Sequence, residues 1–111
     1  MNIQIHSIHF NADQKLIDFV LKKIDKLSRY NNRIIGGEVF LKLDKSDSLN
    51  NKVVEIKLQV PGNDIFVKRQ CQSFEEATDE VTETLRRQLQ KRKEKSYRSM
   101  SRANRNDTSS F

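Results

Sequence analysis

Residues 38–71 read EVFLKLDKSDSLNNKVVEIKLQVPGNDIFVKRQC, and apolar and polar residues alternate through most of it. Val39, Leu41 and Leu43 fall on one face of an extended chain, with Glu38, Phe40 and Lys42 on the other. The same period returns in Val54, Ile56, Leu58 and Val60 against Glu55, Lys57 and Gln59. Between these runs, 44–51 is a polar loop, and Pro61-Gly-Asn-Asp64 has the chemistry of a tight turn, after which Ile65–Cys71 returns as another strand. Connections this short exclude crossovers, so the three strands are expected to form an antiparallel meander. Gly36-Gly37, just before it, suggests a bend or bulge.

Working outward, residues 2–8 alternate around Ile3 and Ile5 and read as a first strand. Asn11-Ala-Asp-Gln14 resembles a helix start, with Asn11 as the cap and Gln14 reaching back. From 13 to about 30, Leu16, Ile17, Val20, Leu21, Ile24 and Leu27 make an apolar stripe, with Phe19 off it. Downstream, Ser73-Phe-Glu-Glu76 is a capping box, and Phe74, Ala77, Val81, Leu85 and Leu89 line a second helix ending near Lys95. The fold expected is α+β, in the order β-α-β-β-β-α, with two helices packed on one face of a four-stranded sheet. At 111 residues the chain fits one domain, residues 1–95, followed by a basic flexible tail, 96–111, too poor in apolar residues to order alone.

Charge is distributed very unevenly. Residues 1–85 carry 12 Lys and Arg against 13 Asp and Glu, while 86–111 carry 9 against 2, so the whole excess of +6 lies in the last quarter. Such a segment attracts a polyanion by releasing condensed counterions, and an anionic membrane surface would attract it too. The second helix is acidic at first (Glu75, Glu76, Asp79, Glu80, Glu83) and then basic, with Arg86, Arg87, Lys91, Arg92, Lys93 and Lys95, continuing to Arg98. Complementing the helix dipole explains that order but not the length of the basic run, because the dipole's effect fades within a turn. In the first helix Lys15, Lys22, Lys26 and Arg29 project within roughly 60° of one another, flanked by Lys23 and extended by Arg33. Taken alone, this ridge reads as a solvated face; beside the second helix it gains a role in polyanion binding.

Catalysis finds little support. The sequence has no phosphate-binding GxxxxGK[ST] loop, no GxSxG and no Cys or His cluster at zinc spacing. His6 and His9 are an odd number apart on or beside a strand, which sends them to opposite faces. Cys71, the single cysteine, reads as a packing residue. No cofactor or small-molecule substrate is indicated. No apolar run approaches the length of a membrane span and MNIQIHSIHF does not resemble a leader, so a soluble, cytoplasmic protein is expected. Tyr97 lies inside the basic tract, where its ring can stack on an unpaired base or simply pack. Strand motifs for reading bases are missing, so phosphate and shape recognition fit better than sequence reading.

Lys23-Ile-Asp-Lys-Leu27 with Tyr30 and Arg33-Ile34, Val39-Phe-Leu-Lys-Leu43, Ala77, Asp79, Leu85, Arg87-Gln-Leu89 and Lys91-Arg-Lys93 resemble, in order and spacing, the ribosome hibernation promoting factor family. That family is also called ribosome-associated inhibitor or sigma-54 modulation proteins. The resemblance implies a fold like a double-stranded-RNA-binding domain with an added strand. It further implies a monomer that binds 16S rRNA and neighbouring ribosomal proteins in the messenger and transfer RNA channel of the small ribosomal subunit. There it would silence idle ribosomes in stationary or stressed cells by occupancy. The family's basic positions map onto Lys22, Lys23, Lys26 and Arg33, and onto Arg87, Lys91 and Lys93. Arg86 and Arg92 add charge nearby, whereas Thr84 stands where a lysine is common, and Phe74-Glu-Glu-Ala77 departs from the usual aromatic-alanine sequence. Ending at residue 111, the chain is expected to be of the short type, with its tail ordering on the ribosome. The alternatives are a double-stranded-RNA-binding module not dedicated to the ribosome and an adaptor for an acidic protein.

Overall fold

The computed structural model describes residues 2–30, 33–45 and 49–109, and the side chains of those through residue 92. Strand β1 (Asn2–Ile8) leads to helix α1 (Gln14–Asp25), which tightens into a 3₁₀ turn over Lys26–Arg29. Strands β2 (Gly36–Leu43), β3 (Lys52–Gln59) and β4 (Ile65–Cys71) follow, then helix α2 (Phe74–Ser109). The sheet order is β1-β2-β3-β4. The meander is antiparallel as expected, and β1 joins it parallel to β2, the pairing that the intervening α1 permits. The α+β order read from the sequence is therefore the observed one.

One sheet face and two helices share the core. Val39, Leu41, Val54, Ile56 and Leu58 meet Val20 and Ile24 of α1 and Ala77, Val81, Leu85 and Leu89 of α2, all fully buried. Each such aliphatic side chain contributes roughly 1.5–3 kcal/mol relative to exposure. No described helix covers the other sheet face. On it His6 stacks on Phe40, ring centroids 5.0 Å apart, Phe66 is exposed, and Lys42 pairs with Glu55, a carboxylate nearly buried between neighbouring strands.

Four local expectations are revised. Gly36 and Gly37 are not a bend before β2 but part of it, opposite Asn2 and Ile3 of β1. A Cβ on Gly36 would lie 2.5 Å from the Asn2 carbonyl oxygen, and one on Gly37 2.9 Å from that of Lys57, so close strand approach requires glycine here. The α1 cap is Asp13 rather than Asn11: its carboxylate accepts from the Leu16 N–H at 2.9 Å, while Gln14 donates to Asp18. Leu21, placed on the apolar stripe, is exposed, because the core is reached by the narrower arc of Val20, Ile24 and Leu27. Finally, α2 does not end near Lys95 but keeps its helical backbone to Ser109. Ser73 starts it as expected, its hydroxyl accepting from the Glu76 N–H at 3.1 Å.

Candidate nucleic-acid interface

Beside the buried stripe of α1 lie Lys23 on the helix, Lys26 in the 3₁₀ turn and Tyr30 just after it, and this arc faces α2. Across from it, the α2 residues adjoining Val81 and Leu85 are Asp79, Glu83, Arg86 and Arg87. Between the helices runs an open groove of about 700 Å³, with Leu27, Glu80, Thr82 and Thr84 completing its walls and Arg69 reaching it from β4. Five cationic side chains thus meet three acidic ones, leaving the groove positive by two charges.

Several of these groups hold one another. Arg86 donates through Nε to Glu83 Oε2 at 3.0 Å, through Nη2 to Glu83 Oε1, and through Nη1 to Gln90 Oε1 at 2.9 Å. Its guanidinium also lies 5.7 Å from the centre of the Tyr30 ring, a cation–π distance that ties the two helical walls together. Hydrogen bonding from Arg86 holds the Glu83 carboxyl below its usual range, and the same bond raises the Arg86 guanidinium above its own. Lys23 bridges to Asp79 at 2.9 Å. Arg69 donates to Thr84 Oγ1 at 3.2 Å and to the Lys68 carbonyl at 2.8 Å, with Glu80 3.9 Å away.

Of the residues singled out from the sequence, Lys23, Lys26, Arg86 and Arg87 converge on the groove. Lys22, Arg29, Arg33 and Lys91 are exposed but do not line it. Arg92 donates to the Asn63 carbonyl, tying α2 to the β3–β4 turn. The side chains of Lys93, Lys95, Arg98 and Tyr97 lie outside the described ones. Arg69 was missed, although alternation through Ile65, Val67, Arg69 and Cys71 puts it on the helix-facing side. Its neighbours then decide what an arginine there can reach.

The chemistry elsewhere is quiet. Among the described residues, Cys71, Glu76 and Glu80 bring potential metal ligands within 4.8 Å of one another. Burial pushes the Cys71 thiol up to about 11, helped by its hydrogen bond to Glu80, to which the thiol donates at 3.2 Å. His6 lies 3.4 Å from Glu38 on the uncovered sheet face, remote in the fold from the groove.

Residues 3–97 match the family described as Sigma 54 modulation protein / S30EA ribosomal protein. The chain belongs to this family. A ribosome hibernation promoting factor from Pseudomonas putida is 33% identical over 95 residues, covering 86% of this chain and 89% of its own length. A protein of the same name from Azotobacter vinelandii is 30% identical over 95 residues, covering 86% and 85%. Among solved structures, the Protein Y N-terminal domain of Thermus thermophilus matches with a TM-score of 0.72 at 24% identity, over 82% of this chain and 98% of its own. A ribosomal subunit interface protein from Coxiella burnetii matches with a TM-score of 0.75 at 20% identity, over 84% and 98%. At these identities the structures establish a shared fold, and the family resemblance read from the sequence holds. Of the basic positions expected from the resemblance, Lys23, Lys26 and Arg87 line the groove, whereas Lys22, Arg33 and Lys91 are exposed outside its lining.

Proposed function

We propose that this chain is a ribosome hibernation factor that binds the small ribosomal subunit in the messenger and transfer RNA channel and blocks translation in idle ribosomes. Membership of a family whose members are named for ribosomes supports the ribosomal partner. The observation that carries the binding mode is the gathering of cations from both helices and from β4 along one groove, continuous in sequence with the basic run of α2. Phosphate oxygens are natural partners for such a surface: an arginine fork donates to them in pairs, and each neutralised phosphate releases a counterion. The protein acts as a monomer in the cytoplasm and works by occupancy, since nothing but position is required to exclude messenger and transfer RNA. No described helix is long and apolar enough to cross a membrane.

Co-sedimentation with purified small subunits, across a salt series, tests this. The full chain is expected to travel with the subunits, with affinity falling steeply as salt rises. Replacing Lys26 and Lys91 by Glu should weaken binding and make the salt dependence shallower by about one unit per lost phosphate contact, with folding unchanged. Binding to free duplex RNA without any binding to small subunits would overturn the ribosomal reading in favour of a general double-stranded-RNA-binding module.

A further inference from the structure

Four of the five groove cations, Lys23, Arg69, Arg86 and Arg87, already have anionic partners. Lys23 Nζ lies 2.9 Å from Asp79 Oδ1. Arg86 engages both oxygens of Glu83, and Arg87 Nε sits 3.6 Å from one of them. Glu83 therefore offers two guanidinium groups what a phosphate would offer them: a pair of oxygens and a negative charge. Complementing the helix dipole does not account for its position, because that effect is confined to the first turn and Glu83 lies beyond it. Asp79 and Glu83 are one helical turn apart, so both carboxylates border the same stretch of groove.

We infer that Asp79 and Glu83 are specificity-determining residues, intramolecular stand-ins for phosphate that occupy Lys23, Arg86 and Arg87 until a rigid polyanion displaces them. This rests on the nucleic-acid reading above. A carboxylate set free when its cation moves to a phosphate takes up a counterion of its own, so the exchange releases less salt than a bare cation would. A short random duplex, meeting the groove with few phosphates at a time, gains little by such an exchange. A folded RNA surface that fixes several phosphates at matching separations replaces both carboxylates together, and being preorganised it loses less freedom in doing so. The acidic pair thus weakens binding to arbitrary RNA more than binding to the intended surface.

The test compares the full-length chain with Asp79→Asn, Glu83→Gln and the double variant on two probes, a random-sequence RNA duplex and purified small ribosomal subunits, over a range of salt. Melting curves establish that the exposed, nearly isosteric changes leave the fold intact. In the double variant, duplex affinity is expected to rise by about tenfold, and its salt dependence to steepen by about one unit per carboxylate removed. Each single variant should show half of the steepening. Subunit binding should tighten by a smaller factor, narrowing the preference for subunits over duplex. Unchanged or weaker duplex binding would overturn the inference, as would equal tightening on both probes. A wild-type chain that binds the duplex but not the subunits would remove the ribosomal reading, whereas variants with unchanged duplex slopes would remove the exchange alone.

Discussion

At Gly36 the absence of a side chain is what allows β1 to approach β2. The nearest obstacle to a Cβ is backbone, the Asn2 carbonyl oxygen at 2.5 Å, which cannot rotate away as a side chain would. Gly36→Ala is therefore expected to destabilise the fold by about 1–3 kcal/mol, the usual cost of forcing an extra carbon into a closed space. Denaturant titration measures the loss, and faster amide exchange along β1 would locate it. A cost near zero would mean that β1 is free to shift. The two adjacent glycines were visible in the sequence, but their reason was not. Read alone, Gly36-Gly37 suggests dihedral freedom, yet among the described glycines only Gly62, in the β3–β4 turn, has a positive φ, 96°. The requirement at Gly36 comes from a strand more than thirty residues earlier in the chain, which only the pairing reveals. The α1 cap is a similar case: Asn11 and Asp13 are both able to cap, and the choice falls to the one whose oxygen reaches the Leu16 N–H.

For the strands, alternation in the sequence separated the faces correctly but said little about how dry each face would be. Glu55 was assigned outward, and it does point away from the helices, yet it is only 8% exposed because the flanking strands and the Lys42 side chain close over it. A carboxylate in that setting depends on its partner. Lys42→Met is expected to cost about 1–3 kcal/mol, since the methionine keeps the aliphatic packing but leaves the charge without compensation. Lys57→Met is the control: Lys57 and Asp64 are both well exposed and 3.9 Å apart, a pair worth under about 1 kcal/mol. Urea unfolding of the two variants measures the difference, and equal stabilities would show that Glu55 is adequately hydrated without Lys42. In the helices the apolar stripes located the core well, because Val20, Ile24, Val81, Leu85 and Leu89 recur at helical spacing and all are buried. The groove was legible only in part: the stripes fix which arcs of the two helices face the sheet, but not that Lys23 and Arg86 end up on facing walls.

Over the whole molecule, one helix does two jobs in sequence. Among its described side chains, which run to Arg92, the last buried one is Leu89, and the 36-residue helix continues to Ser109, roughly 30 Å farther at 1.5 Å per residue. The sequence signal for a helix fades at that point because apolar periodicity reports packing, and a segment rich in Ser, Asn and Arg has no stripe to show. Its charge was legible throughout, and charge is what acts at this distance from the core. All of the protein's positive excess lies from Arg86 onward, so if the ribosomal reading holds, the extension should supply much of the salt-dependent attraction while the groove supplies selectivity. Replacing Arg98, Arg102 and Arg105 together by Gln separates these contributions, since it removes charge but keeps helix propensity. Small-subunit affinity near physiological salt is expected to fall, with the slope of log affinity against log salt reduced by up to about 0.9 for each arginine that meets a phosphate. The melting temperature should stay unchanged, because these residues lie more than two helical turns beyond Leu89, the last buried position among the described side chains of α2. If the slope is unaltered in the triple variant, the extension does not lie along RNA, and the groove and its flanks must account for the whole of the attraction.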